Sequence, residues 1–227
     1  MSEISKRYAL LTRLPLLQGI SSQELLEWED ALRLDLDEFP ASSLPLIRQG
    51  DICSSLLCLM EGELKREYRS PDGIYTAVSH LQAPAIIEID RLYGLTPSYE
   101  HTYNATTDVT LLNIRKQWIN SHLMKSEVFR LNLLNNLSAC AQRKANALKP
   151  TQTDSAESRI RCLLGTIFHD SKGQAELYIQ MKELAHYISA SRLATSQVLN
   201  KWNDEGLICL GREHFTIPDL QALLENV

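Results

Sequence analysis

The 227-residue sequence has no apolar run of about 18 residues, and its first residues, MSEISKRYALL, lack a hydrophobic stretch followed by a cleavage site. The first absence argues against a membrane-spanning helix and the second against a secretory signal. We therefore expect a soluble, cytoplasmic protein with no membrane partner. Its length suits two domains better than one small domain.

Cysteine is absent from the first 52 residues, and the five cysteines that follow are scattered: Cys53, Cys58, Cys140, Cys162 and Cys209. This odd, irregular set favours free thiols in a reducing compartment over a disulfide framework. An iron–sulfur cluster needs about four thiolates within reach. Cys53 and Cys58 should face opposite sides of a strand, and nothing in the spacing of His80, His101 or Cys58 indicates haem. We predict neither group and no metal site.

Positive charge is also scarce, because 23 Lys and Arg stand against 28 Asp and Glu, a net charge of −5. The part from Asp154 onward has seven basic and ten acidic residues. A nucleic-acid-binding protein of this composition must concentrate its cations locally, and its affinity should be salt-sensitive. No catalytic triad, P-loop or paired-carboxylate site stands out, so we predict no enzymatic activity.

The most informative stretch runs from Tyr178 to Ile208. Apolar residues recur there at helical spacing in two short segments, which predicts two amphipathic helices. Ser189 and Ala190 form the turn between them, Ser191 can cap the second helix and Gly206 can end it. Facing apolar stripes joined by a short turn are the helix-turn-helix pattern. The alternative is an ordinary helical hairpin whose outer face is solvated.

The region from Leu34 to Ile114 has a different texture, with short apolar or alternating runs separated by turn signals. This pattern predicts an antiparallel sandwich or barrel. Its clearest element is the hairpin LKREYRSPDGIYTAVSHL, turned at Ser-Pro-Asp-Gly. Residues 1–33, ahead of this region, are predicted to be helical.

The longest helical pattern runs from Ser126 to Lys149, and Pro150 should end it. An a/d seam follows one face: Leu131, Leu134, Ser138, Ala141, Ala145 and Leu148. Leu133, Leu137 and Cys140 lie on a neighbouring face. Because two apolar stripes need two surfaces, we predict that the seam meets a second copy. The alternative is a helix that only packs on the core.

The remaining C-terminal segment completes a second domain. Asp154 and Glu157 predict a helix start, LICLGREHFTI predicts a two-stranded wing turned at Gly211-Arg212, and Asp219 can cap a last helix. The predicted fold is α+β: an antiparallel, cupin-like β-roll, a long dimerisation helix and a winged helix-turn-helix. The predicted boundaries are 1–125, 126–150 and 151–227.

This order of elements resembles the CRP/FNR family of bacterial transcription regulators across nearly the whole chain. LIRQGD, LLCLMEGELK, AIIEI and NATTDVTLLNI resemble the family's roll strands. SRIRCLL and ELAHYISASRLATSQVLNKWNDEGLI resemble its first DNA-domain helix and its recognition motif. Each motif alone is weak, but their order and spacing together are specific.

The resemblance implies a homodimer that reads a palindromic site in double-stranded DNA, with two recognition helices in successive major grooves. It also implies a pocket in the roll where an unknown small molecule shifts the dimer between states. RNA polymerase stays open as a further partner. Two alternatives also stay open: a regulator that needs no ligand, and a sensor that acts through protein partners with a degenerate DNA domain.

The predicted base-reading residues are Arg192, Leu193, Ser196 and Gln197. Arg192 matches the family's guanine-reading arginine, whose planar fork fits O6 and N7. Leu193 replaces a common glutamate and could touch a thymine methyl, and Gln197 stands where a second arginine is frequent and could pair with adenine. We therefore expect a half-site that differs from the family's best-known one.

Phosphate contacts are predicted for five residues: Gln180, Lys182, Ser191, Thr195 and Lys201. For Lys182 and Lys201 a solvated side chain is an equal alternative. Ser189 occupies a turn position where the family usually has glycine, and a positive φ there would cost roughly 1–2 kcal/mol.

The predicted effector pocket departs from the cyclic-nucleotide binders of the family. Those proteins use a Gly-Glu and then an Arg-Ser pair, whose arginine neutralises the cyclic phosphate. Here Ile87 replaces the glycine, and no Lys or Arg occurs between Arg91 and Arg115. The sequence thus argues against a cyclic nucleotide and leaves the effector unknown. The pocket residues are predicted to be Glu88, Tyr99, Glu100, His101 and Thr102, and the alternative for Glu88 and His101 is a hydrogen-bonded structural role.

Overall fold

A computed structural model describes residues 11–32, 35–147 and 155–225. Asp154, Leu148 and the start of the predicted N-terminal helical region lie outside them. The described elements, in chain order, are α1 (Ser22–Leu32), β1 (Asp35–Phe39), β2 (Ser55–Glu61), β3 (Glu63–Arg69), β4 (Tyr75–Gln82), β5 (Ala85–Ile87), β6 (Thr102–Ala105), β7 (Val109–Arg115), α2 (Lys116–Ser121), α3 (Glu127–Ala147), α4 (Ala156–Ile167), β8 (Ala175–Ile179), α5 (Met181–Tyr187), α6 (Arg192–Asp204), β9 (Cys209–Leu210), β10 (His214–Ile217) and α7 (Leu220–Glu225). Short 3₁₀ turns cover Pro15–Leu17, Ile89–Arg91 and Leu123–Lys125.

The chain divides into two compact units, residues 1–64 with 82–140 and residues 65–81 with 141–227. In the first unit, four antiparallel strands form a sheet in the order β1-β7-β2-β5. Burial alternates in the first half of β2, where Leu56 and Cys58 are buried, because successive side chains of a strand point to opposite faces. In its second half Leu59 and Met60 are buried as well, so both faces of the strand are covered there. β2 and β7 pair across this sheet from Ser55–Arg115 to Glu61–Thr110.

The turn between β2 and β3 depends on Gly62, whose φ is +86°. A Cβ built there would lie 2.3 Å from the carbonyl oxygen of Asp108. A larger residue is excluded by this close backbone approach as well as by the positive φ. The glycine turn of LLCLMEGELK therefore has a steric cause.

The second unit is built on a sheet in the order β3-β4-β8-β10-β9. β9 and β10 form the predicted wing, and Gly211 N donates to His214 O at 2.9 Å to close its turn. The core under this sheet includes Ile160, Leu199, Trp202 and Phe215, each at most 2% exposed. The antiparallel β domain, the long helix and the winged helix-turn-helix confirm the predicted α+β fold.

The segment 65–81, which carries most of the β3–β4 hairpin, belongs to the second unit. β4 pairs with β8 from Tyr75–Ile179 to Ser79–Ala175, so the hairpin extends the winged-helix sheet. Arg66 fixes this arrangement, because its buried guanidinium donates to Asp170 at 2.8 Å and to Ser79 at 3.1 Å. A hairpin that lies early in the sequence is thus part of the C-terminal unit.

No helix among the described residues combines the length and apolar character needed to cross a membrane. The same residues contain no group of three or more His, Cys, Asp or Glu placed to hold a metal ion.

Candidate functional site

The helix-turn-helix is formed by α5 and α6. Leu184 and Ile188 on one side and Leu199 and Trp202 on the other are buried in one core, as their helical spacing predicts. The side chain of Ser191 caps α6 by accepting a hydrogen bond from Ala194 N at 3.1 Å. The two helices therefore present one fixed outer face.

The turn between these helices has a positive backbone angle at Ser189, with a φ of +51°. A residue with a Cβ costs roughly 1–2 kcal/mol in this conformation. Arg159 on α4 donates from Nη1 to the carbonyl oxygens of Ser189 at 2.8 Å and Ile188 at 3.2 Å. These bonds hold the turn in its strained conformation.

The predicted base-reading residues lie on the outer side of α6. Arg192 and Gln197 are exposed, Leu193 is 71% exposed, and Ser196 is half-buried. Leu193 follows Arg192 in the first turn of α6, and most of its apolar side chain is exposed to solvent. This placement leaves the side chains accessible to a ligand along the N-terminal half of the helix.

The predicted phosphate contacts divide into two groups. Gln180, Lys182, Ser191 and Lys201 are exposed. Thr195 is fully buried at 0% exposure, and its hydroxyl donates to Ser191 O at 3.0 Å. The prediction of a phosphate contact is therefore wrong for Thr195, because its side chain belongs to the apolar stripe of α6.

A surface cavity of about 390 Å³ lies between the helix-turn-helix and the wing. Its lining includes Gln180, Lys182, Arg192 and His214. Two cations thus line one concave surface of a chain whose net charge is −5. The wing's exposed Arg212 lines a neighbouring cavity of about 320 Å³ that also includes Gln180.

Glu157 of α4 holds α6 in place, a role that its helix-start position does not predict. Its carboxylate accepts from Lys201 Nζ at 3.0 Å, from Arg161 Nη2 at 2.9 Å and from Trp202 Nε1 at 3.1 Å. The donors, led by Lys201 and Arg161, lower the pKa of Glu157 to about 2. The observed cap of α4 is Ser155, which accepts from Ser158 N at 3.1 Å.

The tip of the β3–β4 hairpin packs against α5. Tyr187 donates to Asp72 Oδ2 at 2.5 Å, and its ring meets that of Tyr75 edge-on at a centroid distance of 5.7 Å. Hydrogen bonds from Ser70, Tyr187 and Ile74 N lower the pKa of Asp72 to about 2. The first helix of the helix-turn-helix thus has a direct contact with the hairpin turn.

In the first unit, two other residues of the predicted effector pocket, Glu100 and His101, contact the carboxylate of Glu88. Its carboxylate accepts from Glu100 N at 2.5 Å, from His101 N at 3.0 Å and from Tyr103 Oη at 3.0 Å, and His101 Nδ1 lies 2.7 Å away. Arg91 pairs with Glu100. The sequence did not indicate Arg91 or Tyr103 as members of this cluster.

The other predicted pocket residues have separate partners. Tyr99 donates to Ser55 O at 3.3 Å, and Thr102 Oγ1 accepts from Gln49 N at 3.1 Å. Burial raises the pKa of the Cys53 thiol and raises that of Cys58 to about 12. Both groups are therefore thiols at neutral pH, a poor form for metal ligation.

The long helix α3 has one buried face and one exposed face. Phe129 and Leu133 are buried, whereas Leu131 is 54% and Leu134 60% exposed. The other described residues of the seam, Ser138, Ala141 and Ala145, are exposed as well. The described part of the seam thus forms a surface of two leucines followed by small side chains.

Comparisons with known proteins agree with this architecture. Residues 158–225 match the family described as the Crp-like helix-turn-helix domain. The crystal structure of Thermus thermophilus Catabolite Activator Protein is similar with a TM-score of 0.51 and 21% identity, over 93% of this chain and 97% of that one. The sensor domain of the transcriptional regulator DNR from Pseudomonas aeruginosa gives 0.52 and 19%, over 67% of this chain and 99% of that domain. No curated protein sequence matches the chain.

The described elements form an antiparallel β-roll, a long helix and a winged helix-turn-helix. The C-terminal domain belongs to the Crp-like helix-turn-helix family. This match and the shared fold agree with the resemblance to the CRP/FNR regulators. Residues 158–225 thus form a Crp-like helix-turn-helix domain behind an antiparallel β domain.

Proposed function

We propose that this protein acts in the cytoplasm as a homodimer that reads a palindromic DNA site through α6 of each copy. The observation that carries the proposal is the outer face of α6, where Arg192, Leu193 and Gln197 are exposed at the start of a Crp-like recognition helix. Arg can read guanine, and Gln can read adenine in a major groove. The protein acts by binding and catalyses no reaction.

The electrostatics of the second unit support a local binding face. Lys182 and Arg192 line the groove beside α6, and Arg212 lies on the wing. The remainder of the acidic chain offers DNA little attraction, so affinity depends on these few cations and should fall steeply with salt. Gln180, Lys182, Ser191 and Lys201 are the phosphate contacts of the proposal. Lys201 is also paired with Glu157.

The dimer is supported by the exposed seam of α3. Leu131 and Leu134 are more than half exposed, and the small residues Ser138, Ala141 and Ala145 allow a second helix to approach closely. A monomer would leave this apolar stripe in water. Two copies joined along it have the two-fold symmetry that a palindrome requires.

Selection of bound sequences from a random DNA pool tests the proposal. We expect a palindrome with half-sites about 10 bp apart, each containing a guanine that depends on Arg192. A parallel selection with Arg192→Ala should lose the preference at that guanine and keep the half-site spacing. Recovery of no common sequence by the unmodified protein would contradict the proposal.

The proposed regulator also includes control by a small molecule that binds the β-roll. The donors of the predicted pocket face carboxylates of the chain itself, and Glu88 and Glu100 would repel a cyclic phosphate. A cyclic nucleotide is therefore a poor effector for this roll. RNA polymerase is the protein partner through which a bound dimer would act on transcription.

A further inference from the structure

We propose that the β-roll contains an anion-binding site whose resident ligand is the chain's own Glu88 carboxylate, so that the roll is complete without an anionic effector. The proposal concerns the control of the regulator proposed above and takes its biological meaning from that function. The site lies wholly within the first unit.

The donors around Glu88 have the composition of an anion site. Two successive backbone N–H groups, of Glu100 and His101, point at its carboxylate, and the Tyr103 hydroxyl donates to it. His101 Nδ1 supplies a further contact at 2.7 Å. Convergent backbone N–H groups bind free phosphate or carboxylate in many proteins. Here the anion is covalently part of the chain.

The backbone of Glu88 has an unusual conformation at the position from which its carboxylate reaches these donors. Its φ of +40° and ψ of +52° are left-handed, a conformation that costs a residue with a Cβ roughly 1–2 kcal/mol. The side chain is only 5% exposed. Strain of this kind persists where surrounding contacts fix the residue, and the four contacts of the Glu88 carboxylate supply that restraint.

The nearby cation Arg91 is also paired within the chain, although its buried Nε has no hydrogen-bond partner. Arg91 pairs with Glu100, whose backbone N–H already donates to Glu88. An incoming phosphate or carboxylate would therefore have to displace one internal carboxylate and approach another. Two of the chain's own anions thus take most of the donors that an external anion would use, and among these donors only Nε of Arg91 is without a partner.

Chemical rescue of full-length protein tests this assignment. Glu88→Ala should lower the midpoint of thermal unfolding by about 5–10 °C, because it leaves buried donors without an acceptor. Sodium acetate should recover part of this loss, compared with sodium chloride at equal ionic strength. Inorganic phosphate is the second probe. Wild-type protein and the control Glu61→Ala, which removes an exposed carboxylate of the same unit, should show no acetate-specific stabilisation.

Equal responses to acetate and chloride in Glu88→Ala would overturn the proposal, as would an acetate- or phosphate-specific stabilisation of the wild type. If Glu88→Ala does not fold, Glu88→Gln keeps the volume and removes the charge. Hydrogen exchange at the amides of Glu100 and His101 should then accelerate about tenfold or more, and unchanged exchange would overturn the assignment.

DNA binding separates this inference from the proposed function. Exhaustively dialysed wild-type protein should bind its selected DNA equally well with and without cyclic nucleotides or small carboxylates. Binding that appears only after such an anion is added would reject the self-supplied ligand and leave the DNA-reading function standing. Absence of DNA binding under every condition would reject that function, whereas the acetate experiment would still decide the role of Glu88.

Discussion

The indole Nε1 of Trp202 donates a hydrogen bond to the carboxylate of Glu157 at 3.1 Å. This bond joins the buried side of the proposed recognition helix α6 to α4, and Arg161 of α4 lies over the Trp202 ring at 4.9 Å. Lys201, the neighbour of Trp202, donates to the other oxygen of the same carboxylate. The orientation of α6 thus depends on an acidic residue that lies outside the proposed DNA-reading face.

Glu157→Gln should destabilise the second unit by about 1 kcal/mol, since Glu157 is partly exposed and solvent screens its pairs. The pKa of Glu157 is lowered from 4.5 to about 2 in the folded protein. Its stabilisation is therefore complete above pH 4.5 and is lost as the pH falls towards 2. Thermal unfolding between these pH values should show a smaller acid dependence in Glu157→Gln. The control Glu61→Gln should keep the wild-type dependence, and an identical curve for Glu157→Gln would contradict this role.

Arg192→Ala should weaken binding to the selected site about 10- to 100-fold and remove discrimination at one guanine. Lys182→Ala should weaken all sequences about equally and reduce the slope of log affinity against log salt by about one. Fluorescence anisotropy on matched and guanine-substituted duplexes at several salt concentrations measures both effects. A uniform loss for Arg192→Ala would show that this residue contacts phosphate instead.

Leu134→Asp should raise the dimer dissociation constant by roughly 100-fold or more, because it places a charge in the apolar seam of both copies. Asn146→Asp is the control, since it adds the same charge at an exposed position of α3 that is outside the seam. Sedimentation equilibrium of the wild type and both variants measures the constant. A monomeric wild type, or equal effects of both variants, would contradict a dimer along this face.

Tyr187→Phe should raise the pKa of Asp72 above its present value of about 2, because one of its donors is lost. The pKa should stay below the ordinary 3.8, since the larger contribution of Ser70 remains. Carboxyl NMR titration measures the change. An unchanged pKa would show that the hairpin tip does not contact α5 in solution.

Thiol reagents should modify Cys209 first and Cys58 only after unfolding. Cys209 is exposed on the wing, whereas burial raises the pKa of Cys58 to about 12. Mass spectrometry of protein treated with iodoacetamide measures the order. Rapid alkylation of Cys58 in folded protein would contradict its burial.

Periodicity in the sequence predicted the helix-turn-helix, because Leu199 and Trp202 repeat at the helical interval and are buried. Thr195 lies four residues before Leu199 at the same helical interval, but its hydroxyl was interpreted as a phosphate contact. The position of Thr195 on the apolar stripe of α6 directs its side chain into the core, where it is fully buried. The turn residue Ser189 and the cap residue Ser191 were also predictable, since their roles depend on local backbone geometry.

Contacts between distant residues could not be predicted in this way. Arg66 and Asp170 are 104 residues apart, and Tyr187 and Asp72 are 115 residues apart. Because neither pair produces a local sequence pattern, the sequence did not indicate that the β3–β4 hairpin belongs to the second unit. The grouping of Glu88 with Glu100 and His101 was predicted, but the roles of their backbone N–H groups and of Tyr103 were missed, because these donors converge only after folding.

In the proposed function, two copies of α6 read one DNA site. Native mass spectrometry and backbone protection of the selected duplex test it most directly. We expect two chains per duplex and two protected regions whose centres lie about 10 bp apart. One chain per duplex, or protection without two symmetric regions, would contradict it.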